Sequence, residues 1–151
     1  MKVGDKIPEI FGVDQSGNVI KASDYRGRKL VLFCYPKANT PGCTAEACSL
    51  QQHKSELEDM GYAIVGVSKD KPETQKKFAD NYNLQFTLIA DVDTSLLQTL
   101  GCWGEKVFCG KKTMGTLRTT FLVNEEGIIE KIFSLKEIKT KIHAEQLLAL
   151  G

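Results

Sequence analysis

Two cysteines, Cys43 and Cys48, stand five positions apart in the stretch Pro36-Lys37-Ala38-Asn39-Thr40-Pro41-Gly42-Cys43-Thr44-Ala45-Glu46-Ala47-Cys48. An apolar run precedes this stretch and a segment of helical composition follows it, so Cys43 is expected in the first turn of a helix. Unpaired backbone N–H groups and the helix dipole favour an anion there, and a thiolate is one. Ionisation alone has a ceiling. An ordinary cysteine is about 3% thiolate at pH 7, so full ionisation gains at most roughly 30-fold. Part of that gain is returned, because thiolates of low pKa are weaker nucleophiles. Fast thiol chemistry therefore requires groups that act on the electrophile too, and Thr40 and a cation suit that task.

The elements that must position these residues are legible in outline. Ile10 to Val13 and Val19 to Lys21, with a turn over Asp14 to Asn18, read as a hairpin. Lys29 to Tyr35 is a continuous apolar run stopped by Pro36, the habit of a strand buried on both faces. Thr44 to Met60 reads as a helix ended by Gly61, Tyr62 to Ser68 as a second buried strand, and Pro72 to Tyr82 as a second helix. Phe86 to Ala90 reads as a strand and Ser95 to Leu100 as a short helix before Gly101. Arg118 to Asn124 and Ile128 to Phe133 flank Glu125-Glu126-Gly127, a hairpin signal, and Lys139 to Leu150 reads as a terminal helix with Ile142, Leu147 and Leu148 on its apolar side. The pattern predicts one α/β domain over residues 1–151: a thioredoxin-like fold, a mixed central sheet with helices on both faces and an N-terminal β-hairpin.

Composition narrows the chemistry further. Lys and Arg number 20 against 19 Asp and Glu, a net charge of +1, which gives no electrostatic footprint for nucleic acid or an acidic membrane surface. The longest uncharged apolar run, Leu30 to Pro36, is strand-sized and far below the roughly 18 residues of a membrane span. The polar start, Met1 to Asp5, is read as carrying no secretory signal. Five cysteines, at 34, 43, 48, 102 and 109, cannot all pair within one chain, so reduced thiols in the cytoplasm are expected.

The string Pro36-x-x-x-Thr40-Pro41-x-Cys43 resembles that of the peroxiredoxins, and its continuation through Glu46, Ala47 and Cys48 is similar to their Q-type (bacterioferritin-comigratory-protein) branch. Trp103-Gly104-Glu105-Lys106, Gly110-Lys111-Lys112, Met114-Gly115 and Arg118-Thr119-Thr120-Phe121-Leu122 extend the likeness over most of the chain. The resemblance implies a monomeric thiol peroxidase of the atypical two-cysteine type, acting on hydrogen peroxide and alkyl hydroperoxides, recycled by thioredoxin, with no metal or organic cofactor. Cys43 would attack the peroxide and become a sulfenic acid, and Cys48 would resolve it as an intramolecular disulfide. Thr40 would hydrogen-bond the peroxide, Arg118 would hold the thiolate and the developing charge, Pro36 would shield the pocket, and Glu46 would orient Arg118. If both cysteines lie on one intact helix, their Cα atoms are roughly 8–9 Å apart, beyond the about 7 Å a disulfide spans, so the first turns must unwind before the bond forms.

Other readings compete. A thioredoxin-like disulfide oxidoreductase needs two residues between its cysteines, and four separate Cys43 from Cys48. A redox-switched binding or holdase module is the non-enzymatic alternative. Cys34 is expected as a packing residue, and Cys102 and Cys109 as structural thiols that depart from the family pattern. His53 and His143 are expected as surface or cap groups. Gly104 to Lys112 imitates a phosphate loop but has Lys112 in the Ser/Thr place, and a zinc site of Cys43, Cys48, Cys102 and Cys109 would have a loose second spacing.

Overall fold

The structure, a computed structural model, describes residues 1–150. Strands β1 (Ile10–Val13) and β2 (Val19–Lys21) form the N-terminal hairpin, followed by β3 (Lys29–Cys34), α1 (Pro41–Gln52), α2 (Lys54–Asp59) and β4 (Tyr62–Ser68). Next come α3 (Pro72–Tyr82), β5 (Thr87–Ala90), α4 (Ser95–Leu100), β6 (Trp103–Phe108) and β7 (Lys111–Thr116). The chain ends through β8 (Thr119–Val123), β9 (Ile129–Phe133) and α5 (His143–Leu148).

The central sheet has the order β5-β4-β3-β8-β9. Its middle strand β3 runs parallel to β4 and antiparallel to β8, the mixed arrangement expected. Alternate residues of β3 serve opposite layers. Val31, Phe33 and Tyr35 pack with Leu50 of α1, Leu57 of α2, Phe78 of α3 and Leu147 of α5. Leu30, Leu32 and Cys34 pack with Phe11 of β1, with Leu96, Leu97 and Leu100 of α4, and with Cys102. Burial on both faces is why this strand is apolar throughout rather than alternating.

Both sheet edges are covered. Gly4 N–H donates to Ile129 O and Ile129 N–H to Asp5 O, so the N-terminal segment lies along β9. Asp14 bridges to Ile89 beside β5 at the opposite edge. Part of each outer ladder, at Ile129 and at Ile89, is thereby engaged within the chain, which blunts the edges against association.

The structure departs from the sequence reading in four places. The helix expected over Thr44 to Met60 begins at Pro41 and is broken at His53, whose φ of −107° and ψ of 19° leave the helical region while its Nδ1 pairs with Glu56 Oε1 at 2.8 Å. The β6–β7 hairpin was not anticipated; it closes on Cys109 and Gly110, both with positive φ (51° and 78°), the signature of a primed two-residue turn. The terminal helix is shorter, a 3-10 turn over Thr140–Ile142 followed by α5. Ile142, expected on its apolar side, is exposed, and His143, expected as a surface or cap group, is wholly buried at the start of α5.

Candidate active site

The site is built at the end of β3. Tyr35 N–H still donates to Val67 O, and then Pro36, half-buried, ends the pairing. The loop that follows is clamped from β4 and α3. Ala38 N–H donates to Asp70 Oδ2 at 2.8 Å, and the same oxygen accepts the Ser68 hydroxyl at 2.7 Å. Gln75, wholly buried, donates from Nε2 to Ser68 Oγ and to Ile89 O, each at 2.9 Å, and accepts the Tyr35 hydroxyl. Burial pushes the Tyr35 phenol far up, so it stays a neutral donor.

The clamped loop delivers the chain to α1 in a fixed direction. Thr40 is the N-cap, with φ −88° and ψ 154°, and its carbonyl accepts the Thr44 N–H at 2.9 Å. Its hydroxyl makes no cap bond and donates to Lys37 O at 2.6 Å, which leaves its oxygen lone pairs available to accept a hydrogen bond from a ligand. Pro41 occupies the first helical position, where a missing N–H costs nothing. Cys43 follows within the first turn and is 1% exposed.

The cation arrives from the far side of the sequence. Thr119, the first residue of β8, pairs with Cys34, the last of β3, which places Arg118 beside the start of α1. Arg118 Nη2 donates to Cys43 Sγ at 3.3 Å and Nη1 to Glu46 Oε1 at 2.7 Å. Glu46 is fully buried one turn along α1, and burial pushes its carboxyl up to about 7 although Arg118 pulls the other way. Gly42 lets the guanidinium approach: a Cβ there would lie 3.3 Å from Arg118 Nη2. Lys106 of β6 lies within the field of the same groups; partial burial and then Arg118 push its amine down.

Four of the six residues singled out from sequence, Cys43, Thr40, Arg118 and Glu46, therefore converge at the start of α1, and Pro36 begins the loop that leads there. Cys48 lies on the same helix as Cys43, half-buried and free, and burial raises its thiol. Cys34 and Cys102 pack in the layer on the opposite side of the sheet and Cys109 is exposed on the β6–β7 turn, so the four cysteines of the zinc alternative do not meet. Among the described residues no group of three or more His, Cys, Asp or Glu side chains could hold a metal ion. No helix of the described residues is long and apolar enough to cross a membrane.

Sequence reasoning missed Tyr35, Ser68, Asp70, Gln75 and His143. Only Gln75 carried a signal: it shares helical spacing with Phe78 and Ala79 and so falls on the buried face of α3.

The AhpC/TSA family model matches residues 3–132. Peroxiredoxin Bcp of Escherichia coli is 39% identical over 148 residues, covering 98% of this chain and 94% of that protein. A peroxidoxin BcpB structure from Mycobacterium tuberculosis superposes with a TM-score of 0.85 at 30% identity, over 99% of this chain and 95% of that one. The bacterioferritin comigratory protein of Xanthomonas campestris, whose structures concern its alkyl peroxide reduction activity, gives a TM-score of 0.85 at 29% identity, over 97% and 96% of the two chains.

Proposed function

The chain belongs to the AhpC/TSA family, in its peroxiredoxin Q (bacterioferritin comigratory protein) branch, and from this premise we propose how its residues divide the work. As a peroxiredoxin it is a thiol peroxidase, with peroxides as substrates and a thiol as reductant. Cys43 is the attacking thiolate. Its sulfur takes the terminal peroxide oxygen, the O–O bond breaks, and the products are a Cys43 sulfenic acid and an alkoxide or hydroxide that solvent protonates. Thr40 accepts a hydrogen bond from the peroxide O–H, and Arg118 stabilises the charge that grows on the leaving oxygen. Preorganised charge of this kind acts without reorganisation during the reaction.

Cys48 then attacks the sulfenic sulfur, releasing water and forming a Cys43–Cys48 disulfide. A dithiol protein of the thioredoxin kind reduces that bond, and the protein works as a monomer. Its five free thiols suit the cytoplasm. Hydrogen peroxide and alkyl hydroperoxides are both within this reading, the latter supported by the activity attached to the Xanthomonas campestris relative.

The observation that carries the assignment is the guanidinium bridge from Cys43 Sγ to Glu46 Oε1. Stopped-flow oxidation of the reduced protein by hydrogen peroxide and by a bulky alkyl hydroperoxide tests it. Rapid oxidation, abolished in Cys43→Ser, with a Cys43–Cys48 peptide recovered by mapping, is the expected result. Unchanged oxidation of Cys43→Ser overturns the role of Cys43, and a different bridged pair overturns that of Cys48.

A further inference from the structure

His143 opens α5 and its side chain is wholly buried. Its ring orientation is fixed by neighbours that do not depend on it. Gln146 donates from Nε2 to Glu137 O at 2.9 Å and accepts the Lys139 N–H at Oε1 at 2.9 Å, which sets the amide. His143 Nδ1 lies 3.0 Å from that same Oε1, an oxygen that can only accept, so Nδ1 carries a proton. Nε2 lies 2.8 Å from Thr120 Oγ1 and 3.7 Å from Glu46 Oε2. Phe133 of β9 packs edge-on against the ring at 5.7 Å.

The other half of the contact is incomplete. Glu46 Oε1 receives Arg118, but Glu46 Oε2 is buried without a hydrogen-bond partner. A bare carboxylate oxygen facing the lone pair of a neutral imidazole is repulsive, and a buried acceptor left unmade is costly. A proton on either atom turns that repulsion into attraction across 3.7 Å, an ion-pair separation. The Thr120 hydroxyl can donate or accept by rotation, so it follows either placement.

We propose that His143 is a positioning residue of the thiol centre: a proton on His143 Nε2 or on Glu46 Oε2 makes their 3.7 Å contact attractive and steadies the carboxyl group, leaving Oε1 to hold Arg118 against Cys43. Burial pushes Glu46 up to about 7 and His143 down, so a proton that exposed groups would leave on the imidazole is drawn toward the carboxyl group. The charged or titratable groups around it are Arg118 ahead of β8 and Cys43 on α1, with Lys106 of β6 in their field and Cys34 of β3 in that of Glu46. From α1 and α5 the neighbours are neutral: Ser49 Oγ accepts the Ala144 N–H at 3.0 Å, and Gln146 holds Nδ1. His143 thus ties the last helix of the chain to its first long helix at the reacting sulfur.

The test is nitrogen-15 NMR of the histidine rings in the reduced full chain, titrated across the neutral range with Glu46→Gln alongside. The expected result is an Nδ1 that stays protonated while Nε2 titrates, with a midpoint at least about one pH unit lower in Glu46→Gln. An Nε2 that titrates identically in both proteins overturns the proposal. A kinetic arm rests on Cys43 as the attacking thiol. His143→Phe is expected to slow peroxide oxidation about tenfold or more, and His143→Gln, whose amide can donate to Oε2, to recover most of that loss. Equal rates in all three proteins overturn the proposal as well. The ring titration uses no peroxide, so it decides even where His143→Phe does not fold, and Cys43→Ser separately decides the identity of the nucleophile.

Discussion

Arg118 Nη2 stands 3.3 Å from Cys43 Sγ across 75 positions of sequence, while its second terminal nitrogen stands 2.7 Å from Glu46 Oε1. The two ends of one planar fork thus have different partners. The carboxylate fixes where the fork points, and the remaining nitrogen faces the sulfur. A lysine has a point charge and no fork, so it cannot hold both partners in this geometry.

Replacing the fork should separate thiol ionisation from catalysis. Arg118→Ala and Thr40→Val are each expected to lower the peroxide rate about 100-fold or more, with Arg118→Lys falling between wild type and Arg118→Ala. Stopped-flow rates and thiol titration on the same variants check this. A loss accounted for wholly by thiolate fraction would refute it.

Glu46 makes stability depend on pH in an unusual sense. Its folded pKa of about 7 lies above the ordinary 4.5, so between those values the folded chain binds a proton that the unfolded chain has released. Stability from this group is complete below about pH 4.5 and lost as pH rises through about 7, an effect of up to roughly 3 kcal/mol. His143, pushed down by burial, works the other way below its ordinary 6.5, since there the unfolded chain binds the extra proton. Urea unfolding of wild type against Glu46→Gln reads the glutamate together with the histidine it faces, and both contributions to the difference between the two proteins run in the same direction. Wild type is expected to lose ground to the variant as pH rises from 4.5 to 7, and parallel curves would contradict it.

Cys43 and Cys48 share α1, and both are free. An intact helix holds their Cα atoms roughly 8–9 Å apart, so a disulfide between them requires the first turns to open. Amide exchange over residues 42–50 is expected to rise sharply on oxidation, while β3 and β4 stay protected. Equal protection in both redox states would rule the opening out.

The Asp70 clamp on Ala38 N–H fixes the loop before Thr40. Asp70→Ala is expected to slow peroxide oxidation and to cost about 1–3 kcal/mol of stability, because buried Ala38 N–H and the buried Ser68 hydroxyl both lose their acceptor. Tyr35→Phe leaves buried Gln75 without its hydroxyl partner and should destabilise by about 1–3 kcal/mol. Thermal unfolding beside stopped-flow separates the two. An Asp70→Ala protein of wild-type rate would remove the clamp from the site.

Two glycines offer a contrast. A Cβ at Gly66 would lie 2.9 Å from both Leu88 Cδ2 and Phe33 Cζ, inside the core, so Gly66→Ala should cost about 1–3 kcal/mol of stability. At Gly42 the obstacle is Arg118 Nη2 at 3.3 Å, the end of a long side chain, so Gly42→Ala should keep its stability and lose rate. Denaturant midpoints and peroxide rates measured on both proteins check the pair.

The fold was legible where burial writes itself into sequence. Lys29 to Cys34 reads as a strand covered on both faces because both of its faces meet apolar layers. The hairpin of β6 and β7 was not, because β7 is almost wholly exposed and carries no apolar alternation. At the site, Cys43 and Thr40 are close in sequence and were visible together, while Glu46 entered through the family resemblance. Arg118 was found through the family resemblance, since position alone gives a hairpin charge no reason to turn inward. His143 escaped because a histidine in a short helix looks the same whether its partners are water or, as here, Thr120 and Gln146.

Strand β8 is the ladder partner of β3 on its Arg118 side, and its register sets Thr119 opposite Cys34. A one-residue slip would turn alternate side chains to the wrong face and carry the arginine away from the sulfur. A chain still emerging from the ribosome, with α1 complete but β8 not yet made, would hold its reactive thiol without the counter-charge. If Arg118 serves the thiol as proposed, competence against peroxide is withheld until the final third of the polypeptide has docked, and the onset of turnover then reports finished folding.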